Sequence, residues 1–147
     1  MKLKDALYRI SRKTVNTADG KPLEYEIVLD ERHFIYQAHF PGEPVTPGVC
    51  IIQIAEELLE DHLQRDFEIR QVKNVKFLSV VSPTSTPCVT YTFSRLTVSE
   101  ESGECKAQIL VTAQEETLRQ ALRQALRQAQ GPSLAKLSIV LKVKREE

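Results

Sequence analysis

His39-Phe40-Pro41-Gly42-Glu43-Pro44-Val45-Thr46-Pro47-Gly48-Val49, running on into Cys50-Ile51-Ile52-Gln53-Ile54-Ala55-Glu56-Glu57-Leu58-Leu59, is the stretch from which the rest of the chain can be read. Its first half holds three prolines and two glycines within eleven residues. Each proline fixes its own φ, so this is a rigid loop rather than a pliant one. Thr46 followed by Pro47 predicts an N-cap and a first helical residue, opening a helix that continues to about residue 64. Near its start that helix is apolar on most of its circumference, as a helix buried on nearly all sides would be. The loop therefore sets a histidine beside the first turn of a buried helix. The first N–H groups of a helix lack internal partners and carry its positive dipole end. Gly48 has no side chain, so a ligand oxygen can come close to its N–H. A histidine takes or gives a proton near neutrality, and a base beside an oxyanion-type donor suits proton abstraction next to a carbonyl.

Outward from the helix, the pattern is strand-like on both sides. Residues 23–29 largely alternate apolar and polar side chains, and Asp19-Gly20 marks a turn from an earlier strand at about 11–15. After the helix, strand-like runs stand at 72–78, 88–93, 105–113 and 137–143, with Ser82-Pro83-Thr84 and Ser102-Gly103 as breakers. Strands, one long buried helix, then several antiparallel strands predict an α+β domain, a single sheet curled around a single helix. One segment interrupts it: Leu-Arg-Gln-Ala occurs at 118–121 and repeats at 122–125 and 126–129, ended by Gly131-Pro132. All four are strong helix formers, so residues 115–133 read as a short helical insert, a surface turn expanded by tandem duplication. The sharper reading makes Leu118, Leu122 and Leu126 a stripe for a partner.

The 147 residues suit one domain spanning 1–147, with a core that needs no disulfide or metal. Lys+Arg and Asp+Glu balance at 20 each, which excludes a global attraction to nucleic acid or an acidic membrane. Cys50, Cys88 and Cys105 are far apart and odd in number, arguing against both a disulfide framework and a zinc site. Cys50 reads as a small core hydrophobe, and His33 and His62 as packing or surface residues. No apolar run approaches the roughly 18 residues of a membrane span, and no signal peptide opens the chain, so a cytoplasmic setting is expected.

The loop H-F-P-G-x-P-x-x-P-G-V resembles the active-site loop of bacterial beta-hydroxyacyl-(acyl-carrier-protein) dehydratases. The resemblance extends through the helix to Val75-Lys76-Phe77 and Val80-Val81-Ser82-Pro83, covering about residues 5–114 and the last strand but not the insert. It implies a hot-dog fold, a homodimer or an oligomer of dimers, and active sites formed between subunits. It also implies an acyl thioester on acyl carrier protein as substrate and no cofactor. By the same resemblance His39 would remove the proton next to the thioester, and the Gly48 N–H would hold the thioester carbonyl. Phe40, Pro47 and Val49 would line the acyl site.

The family's acid, a helix carboxylate that protonates the departing hydroxyl, falls at Gln53, and its usual glutamine falls at Glu57. A neutral amide binds a hydroxyl but supplies no proton at a useful pKa. Positions four apart share a helix face, so Glu57 is the candidate acid, directly or through a water. Ala38 and Thr46 are smaller departures, from a glycine and from an often apolar residue. Two other functions fit: thioester hydrolysis with Glu57 activating water, or an acyl-binding or dimer-partner subunit without turnover. For the acidic carrier, Arg65, Arg70, Lys73 and Lys76 form the candidate docking patch.

Overall fold

A computed structural model of the chain describes residues 2–15, 23–38, 42–113 and 133–144. Strict alternation builds the sheet. In β2 (Leu23–Leu29), Leu23, Tyr25, Ile27 and Leu29 are buried while the residues between them are half-exposed. The same period-two pattern turns Val89, Tyr91 and Phe93 of β4 (Cys88–Val98) inward. It does so again for Cys105, Ala107, Ile109 and Val111 of β5 (Glu104–Ala113) and for Leu137, Ile139 and Leu141 of β6 (Ser133–Val143). With β1 (Tyr8–Thr14) and β3 (Phe67–Phe77) they form a six-stranded sheet in the order β1-β2-β4-β5-β6-β3, antiparallel throughout.

Between β2 and β3 lie a single turn, α1 (Ile35–Ala38), and the long helix α2 (Gly48–Leu63). Ile51, Ile54, Ala55, Leu58 and Leu59 of α2 join the inward side chains in one apolar core. The Tyr91 hydroxyl donates to the Ile51 carbonyl across 2.9 Å, tying the sheet to the helix at depth. This is the α+β hot-dog arrangement, an antiparallel sheet wrapped on one central helix. The helical insert at 115–133 lies, except for Ser133, outside the described residues, as does the Asp19-Gly20 turn.

Several boundaries differ from the sequence expectation: β1 begins at Tyr8 rather than about 11 and β6 at Ser133 rather than 137. β3 begins at Phe67 rather than 72, because register shifts between Ile69 and Gln71 and between Lys73 and Lys76 break the alternation that marks a strand. β4 runs on to Val98 past a shift between Ser94 and Thr97, where Arg95 has φ 51°. The helix starts at Gly48, with Pro47 (φ −60°, ψ 146°) in the cap position and no side-chain cap. Thr46 does not cap it because its hydroxyl pairs with the Tyr36 hydroxyl at 2.9 Å in the core. At the other end Gln64 adopts φ 54° and ψ 45°, a left-handed stop.

Candidate active site

Gly48 opens α2 directly beneath Phe77 at the end of β3. A Cβ on Gly48 would stand 2.7 Å from the Phe77 ring Cζ, so glycine is set here by close approach. In the first turn Cys50 N–H and Ile51 N–H both donate to the Pro47 carbonyl, at 3.0 and 3.2 Å. The Gly48 N–H has no acceptor among the described residues, which leaves a donor at the positive end of the helix. Val49 beside it is 74% exposed.

His39 and Phe40, with Pro41, lie outside the described residues. The two ends of their loop are anchored. On one side Tyr36 is buried in α1, and burial pushes its phenol up, so its hydroxyl stays protonated. On the other, Thr46 is buried, bonded to that hydroxyl, and donates its N–H to the Val81 carbonyl at 2.7 Å.

The Gln53–Glu57 pair is in contact, as their spacing on one helix face requires. Gln53 Nε2 donates to Glu57 Oε2 at 2.9 Å. Glu57, however, is buried, and its carboxylate is engaged from the far side as well. Oε2 accepts the Leu3 N–H at 2.8 Å; Oε1 accepts the Lys4 N–H at 2.8 Å and the Tyr8 hydroxyl at 3.0 Å. Burial first, and then the Glu57 charge, push the Tyr8 phenol far up, keeping it a donor. Glu57 thus anchors the N-terminal segment to the helix with both oxygens, a task the sequence reading did not foresee. Nothing local in the sequence signals it, since the donors lie 49 to 54 positions away.

Of the other singled-out residues, Cys50 is a buried free thiol and burial raises its pKa, as for a core residue. His33 stacks on Phe34 with ring centroids 4.6 Å apart and accepts the Ile35 N–H on Nδ1. The docking patch is partly self-neutralised: Arg65 Nη2 lies 3.3 Å from Glu100 and Arg70 Nε 3.8 Å from Glu68. Among the described residues no group of three or more potential ligands could hold a metal ion, and no helix is long and apolar enough to cross a membrane.

Tyr8, Tyr36 and Phe77 are site-building residues that the sequence reading did not single out. Each acts through a partner distant in the chain, so composition and spacing carry no trace of it.

The fold recurs in proteins of known structure. No curated protein matches the chain significantly in sequence. Similar solved structures include an uncharacterized protein from Erwinia carotovora subsp. atroseptica, with TM-score 0.62 and 16% identity over 95% of this chain and 99% of that one. The dehydratase heterocomplex ApeI:P from Xenorhabdus doucetiae gives TM-score 0.55 and 14% identity, over 90% of this chain and 96% of that one. An Asp52Ala mutant of a hypothetical thioesterase from Streptococcus pneumoniae TIGR4 gives 0.55 and 12%, over 97% and 95%. At such identities the likeness is one of fold, and it spans proteins named for two chemistries. The sequence itself is more selective: residues 15–118 match the model of the ApeI-like family, described as ApeI dehydratase. The chain belongs to the ApeI-like dehydratase family.

Proposed function

We propose that this protein dehydrates beta-hydroxyacyl thioesters carried on acyl carrier protein. The observation that carries the reading is the glycine-opened helix end, with the Gly48 N–H at the positive terminus of α2, immediately after the histidine loop of a dehydratase family. In this reading the thioester carbonyl accepts the Gly48 N–H, which stabilises the enolate-like charge that develops as the neighbouring C–H bond breaks. His39 Nε2 or Nδ1 takes that proton. The carbon–carbon double bond forms as the β-carbon–oxygen bond breaks, and the departing hydroxide leaves as water. The four donors on Glu57 commit its oxygens, so we assign it to orienting Gln53 rather than to giving the proton. Gln53 then binds the leaving hydroxyl, and the imidazolium formed on His39 returns its proton to it.

The active unit is a homodimer. β3 stands at the sheet edge, and its inward-facing Ile69, Val75 and Phe77 are 37%, 37% and 50% exposed. An eleven-residue edge strand with a partly uncovered apolar inner row is a template for pairing with another chain. Phe77→Asp combined with Val75→Asp is expected to give monomers by light scattering, and dimers from that variant would exclude this edge.

Incubation with a beta-hydroxyacyl thioester on carrier protein tests the function. Enoyl product, lost by about 10²–10⁴-fold in His39→Ala, supports it. Free acid instead would identify a thioesterase. A second reading is favoured by the neutral amide at Gln53 and the engaged carboxylate of Glu57: a subunit that binds acyl groups or a catalytic partner without turnover. Activity gained only in Gln53→Glu would select it.

A further inference from the structure

The outer face of the sheet carries a groove that the inner-face chemistry does not use. It is an open groove of about 330 Å³ with an apolar floor at Ile109, Leu110 and Leu137, rimmed by Asn74, Lys76, Ser94, Gln108, Lys136 and Ser138. Lys76 of β3 and Lys136 of β6 are direct cross-strand partners. Both are exposed and face outward, since the adjacent Ala135 and Leu137 are buried inward. Like charges directly opposite one another on neighbouring strands destabilise a sheet. Neither lysine forms an ion pair among the described residues.

The β5 neighbour of Lys136 is Leu110; two residues further along the strands lies a row of neutral hydrogen-bonding groups that meets β3 at Lys73. Ser94 is the partner of Gln108, and Gln108 of Ser138, so the three sit side by side across β4, β5 and β6. Two bulges flank the row, one at Asn74 (φ 54°) in β3 and one at Arg95 (φ 51°) in β4. Bulges bend a strand and re-aim its side chains. Among the described residues no carboxylate lines the groove. Two ammonium groups with the hydroxyls of Ser94 and Ser138 and the amides of Asn74 and Gln108 around its rim supply the donors that phosphate oxygens accept.

We propose that this groove binds a phosphate group, with Lys76 and Lys136 as its cationic ligands and Ser94, Gln108 and Ser138 as hydrogen-bond donors. The site lies on the face of the sheet opposite α2, apart from the chemistry proposed for the inner face, and it shares Lys76 with the candidate carrier-docking patch. Its ligand is a free phosphate, a soluble phosphomonoester or the headgroup of a phospholipid.

Amide-resolved NMR titration of the full chain tests it, using inorganic phosphate, glycerol 3-phosphate and sodium chloride at matched ionic strength. Saturable shifts centred on Gln108, Lys136 and Ser138 with the phosphates, and not with chloride, are expected. Lys76→Gln and Lys136→Gln should each weaken binding by about tenfold, and the pair should abolish it. Both side chains are exposed, so an unchanged spectrum elsewhere will report an intact fold. Co-sedimentation with phosphatidylcholine vesicles, with and without phosphatidylglycerol, separates the sources. Binding only to the phosphatidylglycerol vesicles, lost in the double variant, assigns the ligand to a lipid headgroup. Shifts reproduced by chloride, or an affinity unchanged in the double variant, overturn the site.

Discussion

Replacing Glu57 with glutamine separates an anchoring role from an acid role in one variant. The wild-type carboxylate accepts four hydrogen bonds, two on each oxygen. An amide keeps one acceptor oxygen and turns the other into a donor. Whichever way it is oriented, two donors then face an NH2 group. Hydrogen bonds to a charged acceptor contribute about 1.5–3 kcal/mol each, so losing two amounts to about 3–6 kcal/mol. Relaxation lowers that: Gln53 can turn its amide and Tyr8 can rotate its hydroxyl, whereas the Leu3 and Lys4 N–H groups cannot escape. A net loss of about 2–4 kcal/mol is expected, and about 5–15 °C in Tm for a chain of this size. Urea unfolding at fixed protein concentration measures it, and amide exchange should show Leu3 and Lys4 losing protection first. Turnover, measured well below the new Tm, should fall by no more than about tenfold, since in our reading Glu57 only orients Gln53. A stability change under about 0.5 kcal/mol with Leu3 and Lys4 still protected would refute the anchor. A loss of about 10²–10⁴-fold in a well-folded variant would restore Glu57 as the proton donor.

Other perturbations bear on other parts of the molecule. Thr46→Val leaves the buried Tyr36 hydroxyl without its partner and should cost about 1–3 kcal/mol, whereas Tyr36→Phe combined with Thr46→Val should lie closer to wild type; strictly additive losses in denaturation would show that the pair is not coupled. Deleting 115–133 and closing with a short turn should leave a folded protein of unchanged oligomeric state, because Val111 and Ala135, on either side of the deletion, are already strand partners and loop length costs little. Dissociation seen by light scattering would assign Leu118, Leu122 and Leu126 to an interface. Glu56 should make stability fall with rising pH. Burial, then the Glu60 and Glu57 charges, raise its pKa from 4.5 to about 7, so between those values the folded state binds more protons than the unfolded one. Partial exposure keeps the effect small. Glu56→Gln should remove that part of the slope, and an identical pH dependence of Tm in the variant would contradict it.

The sequence alone determined the fold class and the glycine-opened start of the buried helix, because both rest on local rules. Alternation in residues 23–29 turns one side of β2 inward whatever lies around it, and the apolar circumference of Cys50 to Leu59 demands burial on most sides. The rigid proline loop delivers a glycine to the start of that helix by covalent geometry and steric restriction alone. The contact between Gln53 and Glu57 likewise follows from the helical repeat. What Glu57 does there was decided only in three dimensions, by backbone N–H groups at Leu3 and Lys4 and the hydroxyl of Tyr8, which the segment leading into β1 brings onto α2. Thr46 has the right chemistry to cap a helix, yet a tyrosine ten residues earlier competes for its hydroxyl in the core and wins. The bulges in β3 and β4 hid the true strand lengths, since each inserts residues that reverse the alternation. Local period and steric preference are written along the chain; the acceptor that a buried donor finds depends on which distant segment folding places within about 3 Å of it.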